Sequence, residues 1–267
     1  MSDPLRTSKS RQEPSRILRA TDGWITIEDA AAALGTDRTT AAKRLARWTE
    51  QGWLRRVQRG HYAPIPLETA EADVPLEEPW AVIPHLLPLG YVGGWSAAHH
   101  WDLTEQLFRD ICVFAPGRSR RMERGGSKYA VFPMTGERDF GVGTHWVGST
   151  RVRVSDPERT LVDMLAQPRS GPGIQNASDC LATYMRSSSP QLDKLLDYAA
   201  QLGNGAAFKR LGFLLEREQL GSPDALEAHR AALSQGLAKL DPNVPCPRVI
   251  TRWRLRVPDS WTSVEND

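Results

Sequence analysis

The sequence predicts an α+β protein in which a small helical domain ending in a β-hairpin precedes a larger mixed domain. Three observations support this fold class. The length of 267 residues suits one large domain or two ordinary ones. Residues 64–79 hold four prolines and five acidic residues, a spacing that neither a helix nor a central strand tolerates. Hydrophobic periodicity is mainly helical before this segment, and strand-like and then helical after it.

The composition restricts the class of protein. Apolar residues make up 40% of the chain and charged residues 25%, which suits a packed core. The net charge is only +2, so the distribution of charge must identify the partners. Three widely spaced cysteines, Cys112, Cys180 and Cys246, favour a reducing compartment over disulfides or zinc. We expect a cytoplasmic protein without membrane contact, since the sequence has neither a secretory signal nor a run of about 18 apolar residues.

The N-terminal region is divided into a flexible basic arm at residues 1–11, a DNA-binding domain at 12–63 and an acidic, proline-rich linker at 64–79. Three helices fit residues 12–51. The first covers roughly residues 12–20. The second begins after Thr26, whose side chain can cap it, and ends at Gly35. The third runs from about Asp37 to Gln51.

The third helix has the pattern of a recognition helix. Ala41, Leu45 and Trp48 form one buried stripe, which directs basic and hydroxyl side chains outward. After it, Trp53–Leu54 and Tyr62 can pair across a turn at Arg59–Gly60, which completes a winged helix-turn-helix. Residues 36–62 carry seven basic and two acidic side chains. A solvated basic helix on a protein-binding domain is the alternative.

We favour DNA binding because the charges, the threonines and the glycine turn fall where one docking geometry needs them. The candidates for base edges are Thr39, Thr40, Lys43, Arg44 and Arg47. The other DNA-binding candidates, mostly for phosphates, are Arg38, Arg55, Arg56, Arg59 and His61.

The larger domain is assigned to residues 80–258, followed by a tail at 259–267. Two short helices flank a turn at Gly93 and Gly94, and strands fill residues 111–155 as a meander. A helix then begins near Ser155, where Ser155 and Glu158 have capping-box spacing, and buries Leu161 and Leu165. About four helices fit residues 174–239. A closing strand is predicted at residues 247–258, with alternating apolar and arginine faces.

No motif predicts catalysis. His99, His100 and Asp102 suggest a metal site, but adjacent histidines on a helix diverge and no i+4 ligand follows. Ser96 precedes His99 by three residues, yet there is no nucleophile elbow or third triad member. We therefore expect no catalytic residue, no metal and no cofactor. A nuclease or hydrolase targeted by the winged helix remains an alternative, as does a stand-alone ligand-responsive repressor.

Two further basic groups are candidates for a second nucleic-acid or partner surface. One is predicted to lie in a loop between strands, and it consists of Arg118, Arg120, Arg121 and Arg124. The other is predicted to line one face of the closing strand, and it consists of Arg252, Arg254 and Arg256. A solvated surface is the simpler reading of each group.

Three segments of the larger domain, GYVGGWSAAHHWDLTEQ, VSDPERTLVDML and RLGFLLE, follow the winged helix in an order and spacing that resemble the AbiEi family of antitoxins and transcriptional regulators. The resemblance covers most of residues 13–220. It implies an operator-binding repressor whose antitoxin domain neutralises a nucleotidyltransferase toxin encoded beside it. Inverted half-sites would imply a dimer or cooperative binding. Asp156, Pro157 and Glu158 are then read as a helix start.

Overall fold

The computed structural model describes residue 17 and residues 25–65, 78–134, 140–148, 150–168 and 172–262. The predicted arm, residues 66–77 of the predicted linker and residues 263–267 of the predicted tail lie outside this part of the chain, as does the predicted first helix apart from Ile17. The chain divides into two compact units. The first comprises Met1–Pro88, Met122–Tyr129 and Trp146–Val152, and the second comprises Leu89–Arg121, Ala130–His145 and Arg153–Asp267.

The first unit contains a helix-turn-helix followed by a hairpin, consistent with a winged helix-turn-helix. Its elements are β1 (Ile25–Thr26), α1 (Ile27–Leu34), α2 (Arg38–Glu50), β2 (Leu54–Gln58) and β3 (His61–Pro64). Thr26 caps α1 in a capping box with Asp29, and Gly35 ends the helix with a left-handed φ of 62°. The short strand β1 was not predicted. It pairs with β3, giving the sheet order β1-β3-β2.

The core of the first unit lies beneath these helices. Ala41, Leu45 and Trp48 are fully buried, as the helical pattern predicts. They pack with Ile17, which is also fully buried, and with Ile25, Ala30, Leu54 and Tyr62. This packing fixes which face of α2 is turned outward. The chain then continues through a 3-10 turn, Pro79–Val82, and α3, Ile83–Leu86.

A six-stranded sheet contains the strands predicted at residues 111–155. Its strands are β4 (Tyr91–Val92), β5 (Asp110–Ala115), β6 (Arg120–Arg124), β7 (Ser127–Pro133), β8 (Val142–Val147) and β9 (Thr150–Ser155), and their order is β6-β7-β5-β4-β9-β8. This order departs from a simple meander, because β4 is inserted between β5 and β9 and pairs parallel with β9. The helix α4, Gly94–His100, follows β4.

Five helices form the main core of the second unit. They are α5 (Pro157–Ala166), α6 (Ile174–Met185), α7 (Leu192–Leu202), α8 (Gly205–Arg217) and α9 (Pro223–Ala231). The four helices predicted after residue 174 are therefore present among the described residues. The N-cap of α5 is Asp156, which accepts the Arg159 N–H, whereas the predicted cap Ser155 belongs to β9. Leu161 and Leu165 are buried as predicted.

The predicted closing strand is instead a folded hairpin. Strands β11 (Arg248–Ile250) and β12 (Leu255–Val257) pair antiparallel, and β10 (Ala238–Lys239) pairs parallel with β12. A 3-10 turn at Thr251–Trp253 and a left-handed Arg254, with φ 51°, reverse the chain between them. Prediction of one continuous strand was wrong because the alternation of apolar and basic residues persists through this turn.

Candidate nucleic-acid interface

The start of α2 is fixed by its own capping residue. Asp37 accepts the N–H groups of Thr39 and Thr40 at 2.9 and 3.0 Å, and the Thr40 hydroxyl donates to the same carboxylate at 2.6 Å. The hydrogen bond from the Thr40 hydroxyl is the main cause that lowers the pKa of Asp37 below its ordinary value. Two of the N–H groups that could bind a phosphate at this helix end, those of Thr39 and Thr40, are thus already used. Of Thr39 and Thr40, it is Thr40 whose hydroxyl also bonds to the capping carboxylate.

The outward face of α2 presents Thr39, Lys43 and Arg47, all exposed and separated by four residues. Residues at this spacing lie in one row along a helix, so the three side chains project side by side. Ala46 is also exposed within this face and was not anticipated. Arg44 and Thr40 are half-buried and flank the row.

Arg38 differs from the other basic residues of this face. Its guanidinium forms an ion pair with Glu28 on α1, although both side chains remain largely exposed. Because the partner carboxylate lies next to it, Arg38 presents less net positive charge than Lys43 or Arg47. The sequence could not reveal this pairing, since the two residues lie on different helices.

The wing separates its basic residues between two faces. Arg56 and Arg59 are exposed, whereas Arg55 is half-buried and lies opposite the fully buried Ala63. The β-bulge between Arg56 and Gln58 changes the register near the tip. His61 is half-buried with its ring 5.7 Å from that of His85. Arg56 and Arg59 are therefore the wing side chains best placed to reach a phosphate.

The winged helix-turn-helix segment matches the model of a known protein family. Residues 12–65 match the family “Transcriptional regulator, AbiEi antitoxin”. The match confirms, over this segment, the AbiEi resemblance drawn from the sequence. It coincides with the helices and hairpin that carry the candidate DNA-binding residues. No curated protein sequence matches the chain.

The fold as a whole is similar to a solved structure. The crystal structure of the RV2827C protein from Mycobacterium tuberculosis superposes with a TM-score of 0.63 at 19% sequence identity. The alignment covers 92% of this chain and 91% of that protein. At this level of identity the similarity establishes a common fold. It extends well beyond the AbiEi segment, since it includes most of both units.

The first of the two additional basic groups does not lie in a loop. Arg120, Arg121 and Arg124 are on strand β6, and only Arg118 precedes it. All four are exposed, and Arg121 lies 3.4 Å from the carboxylate of Asp110. The loop prediction was wrong because this strand is highly charged and lacks a buried alternating face. Its position as an end strand of the sheet accounts for that composition.

The second group does not line one strand face. Arg252 lies in the 3-10 turn and pairs with Glu216 at 2.7 Å. Arg254 donates to the carbonyls of Leu233 and Ser234 at 2.9 and 3.0 Å. Of this group only Arg256 is exposed on a strand. The hairpin therefore uses two of the three arginines to hold its own turn, which weakens the case for a shared binding surface.

Of the histidine candidates, His100 belongs to an aromatic cluster with Trp101 and His145. His100 lies 5.1 Å from His145 and 4.7 Å from Trp101, measured between ring centroids. Burial, followed by the charge of His145, lowers the pKa of His100. Within the described ranges, no group of three or more His, Cys, Asp or Glu side chains could hold a metal ion. The Ser96 hydroxyl accepts the Cys112 N–H at 2.9 Å, a structural role.

No helix in the described part of the chain has the length and apolar character needed to cross a membrane.

Proposed function

We propose that this chain is a transcriptional repressor and antitoxin that binds operator DNA through its winged helix-turn-helix. In this proposal, α2 enters the major groove and reads base edges with Thr39, Lys43 and Arg47. Arg56 and Arg59 of the wing contact phosphates. The protein acts by occupying its own promoter and by neutralising a nucleotidyltransferase toxin, with no catalytic step of its own.

The observation that carries this proposal is the exposed row on α2, which lies within the segment that matches the regulator family. Lys43 and Arg47 project from a helix whose opposite face is locked in the core by Leu45 and Trp48. A rigid helix with a basic outer face suits a groove better than a mobile basic segment does, because its side chains are already positioned.

A mobility-shift titration tests the DNA-binding part. The probe is the duplex upstream of the gene, with a scrambled duplex as the control. We expect specific binding with a log–log salt slope of several, because each phosphate contact releases a counterion. Weak binding that is equal on both duplexes would refute sequence-specific recognition.

Three variants assign the roles. Arg47→Ala should cost about 1–3 kcal/mol on the operator and relax sequence preference, whereas Arg59→Ala should weaken both duplexes alike. The matched control is Arg186→Ala, which removes the same charge from an exposed position at the end of α6. If Arg47→Ala and Arg186→Ala bind with equal affinity, α2 does not read the operator.

The stoichiometry on DNA follows from the same reasoning. Inverted half-sites would present two equivalent grooves, so two copies should load as a dimer or cooperatively. Sedimentation of the protein with an operator containing one or both half-sites measures this directly. The antitoxin part is tested in cells, where expression of the chain should restore growth that is arrested by the neighbouring nucleotidyltransferase.

A further inference from the structure

Helix α2 ends in a carboxylate on the face that we assign to DNA. Glu50 is the last residue of this helix and is exposed. It follows Ala46 by four residues and Lys43 by seven, so the three side chains lie in one line along the helix. The face that presents Lys43 and Arg47 to DNA therefore also presents one negative charge.

The described residues give this carboxylate no stabilising partner. Arg47 lies one turn earlier, yet no ion pair joins Glu50 to a basic side chain within that part of the chain. The C-terminal end of a helix carries a partial negative charge, so a carboxylate there is unfavourable. Glu28 and Asp29, by contrast, lie in the first turn of α1, where a carboxylate is favourable. A structural role therefore does not explain Glu50.

A carboxylate is also selective about the base edge that it can face. Its oxygens only accept hydrogen bonds, and most groups in the major groove are acceptors as well. The donors there are the amino groups on N4 of cytosine and N6 of adenine. Adenine presents its N7 acceptor beside the amino group, whereas cytosine presents the amino group alone. Cytosine is therefore the base whose edge suits Glu50.

We propose that Glu50 is a specificity-determining residue that accepts a hydrogen bond from the N4 amino group of one operator cytosine. This inference rests on the proposed function, since that function places α2 in the major groove. Where the cytosine is present, the carboxylate stabilises the complex. At any other base it faces an acceptor and lies close to phosphates without compensation, so Glu50 raises specificity by weakening incorrect complexes.

Helix geometry locates the base relative to the other contacts. The seven residues from Lys43 to Glu50 correspond to about 10 Å along the helix axis, or roughly three base pairs. Lys43 suits the N7 and O6 acceptors of guanine. The cytosine should therefore lie within about four base pairs of a guanine whose recognition is lost in Lys43→Ala.

The test is a scan of the operator in which each base pair is replaced in turn. Affinities of the full chain are measured by competition in mobility-shift titrations. For the parent chain, replacement of one cytosine should weaken binding by about tenfold or more. Glu50→Ala should reduce the preference at that position to within about twofold and leave the other positions unchanged, because only the contact with the amino group is removed.

Two further measurements examine the chemistry of the contact. N4-Methylcytosine at the identified position still pairs with guanine but lacks the amino hydrogen that faces the groove. It should weaken the parent by about tenfold and affect Glu50→Ala little. On the scrambled duplex, Glu50→Ala should bind about two- to fivefold more tightly than the parent, because a charge that repels phosphates is removed.

The matched control is Asp197→Ala, which removes the same charge from an exposed position on α7. It should match the parent in the scan and on the scrambled duplex. The thermal midpoint of Glu50→Ala should be no lower than that of the parent, because a carboxylate at a helix C-terminus is unfavourable. This result would show that altered binding does not come from unfolding.

The outcomes separate this inference from the proposed function. If the parent binds the operator specifically and Glu50→Ala keeps every base preference, the inference fails and the repressor proposal stands. If Glu50→Ala binds both duplexes more tightly by the same factor, the carboxylate only repels the backbone and the inference is overturned. A preference for another base that depends on Glu50 also overturns it. If the parent binds the operator and the scrambled duplex equally, both proposals fail.

Discussion

The buried ion pair on α5 offers a quantitative prediction about stability. Arg159 and Asp163 have side chains that are 1% and 4% exposed, and they lie 3.0 Å apart. The Tyr91 hydroxyl donates to Asp163 at 2.9 Å and accepts from Arg159 at 3.0 Å. Arg159 also donates to the Phe140 carbonyl at 3.3 Å. The two charges therefore depend on each other and on Tyr91, because their side chains are almost completely buried.

Removal of one partner should be costly. In Asp163→Ala the guanidinium stays buried without its carboxylate, so we expect a loss of about 3–5 kcal/mol in unfolding free energy. Tyr91→Phe removes one bridging hydroxyl and should cost about 1–3 kcal/mol. Replacement of both charges in Arg159→Met/Asp163→Leu should destabilise the fold far less than Asp163→Ala does, because no unpaired charge remains.

Urea denaturation of the full chain, followed by tryptophan fluorescence, measures these differences. Asp179→Ala is the control, since Asp179 is an exposed carboxylate on α6 and its removal should change stability little. A loss below about 1 kcal/mol in Asp163→Ala would refute the reasoning, because a buried charge without a partner cannot be that inexpensive. A double variant that is no more stable than Asp163→Ala would also contradict it.

Two further predictions concern the same unit. A Cβ at Gly212 would lie 2.1 Å from the ring of Trp253, which is fully buried, so Gly212→Ala should destabilise the fold by about 1–3 kcal/mol in thermal unfolding. Burial raises the pKa of Glu158, but hydrogen bonds from Tyr184 and Lys194 outweigh it and leave that pKa below its ordinary value. A carboxylate whose pKa is lower in the folded state stabilises the fold at pH values above its unfolded-state pKa, and this stabilisation is lost as the pH falls. The unfolding free energy of Glu158→Gln should therefore fall less steeply than that of the parent between about pH 5 and pH 3. An acid limb that is equally steep in both proteins would count against this role for Glu158.

Local signals in the sequence identify most elements correctly. The capping residue Thr26, the terminating Gly35 and the start of α2 at Asp37 all lie where the sequence predicts them. Each depends on residues within four positions, so the chemistry is visible in a short window. The buried stripe of α2 is equally local, and it defines the outward face that carries the candidate DNA-binding residues.

Non-local pairings are the features that the sequence does not reveal. Val92 on β4 pairs with Val154 on β9, so the sheet order depends on contacts between distant segments. The ion pair between Arg38 and Glu28 has the same origin. The folded hairpin also depends on a distant residue, since Arg252 pairs with Glu216 of α8. None of these contacts leaves a periodic signal, which is why the candidate interface was predicted from one helix alone.

The segment VSDPERTLVDML shows how a charged motif can be explained by the fold. Asp156 caps α5 and accepts hydrogen bonds from the backbone of Arg159 and the hydroxyl of Tyr198. Lys194 bridges the carboxylates of Asp156 and Glu158 at 3.0 and 2.9 Å.

Together with the Arg159–Asp163 pair, these contacts satisfy each ionisable group of the segment within the second unit. A helix that contacts α4, α6, α7 and α8 can bury such groups only if they are paired in this way. The charged residues of this segment, which contribute to the AbiEi resemblance, therefore stabilise the second unit. Tests of partner binding belong on the exposed α2 face, where Thr39, Lys43 and Arg47 lie open to solvent.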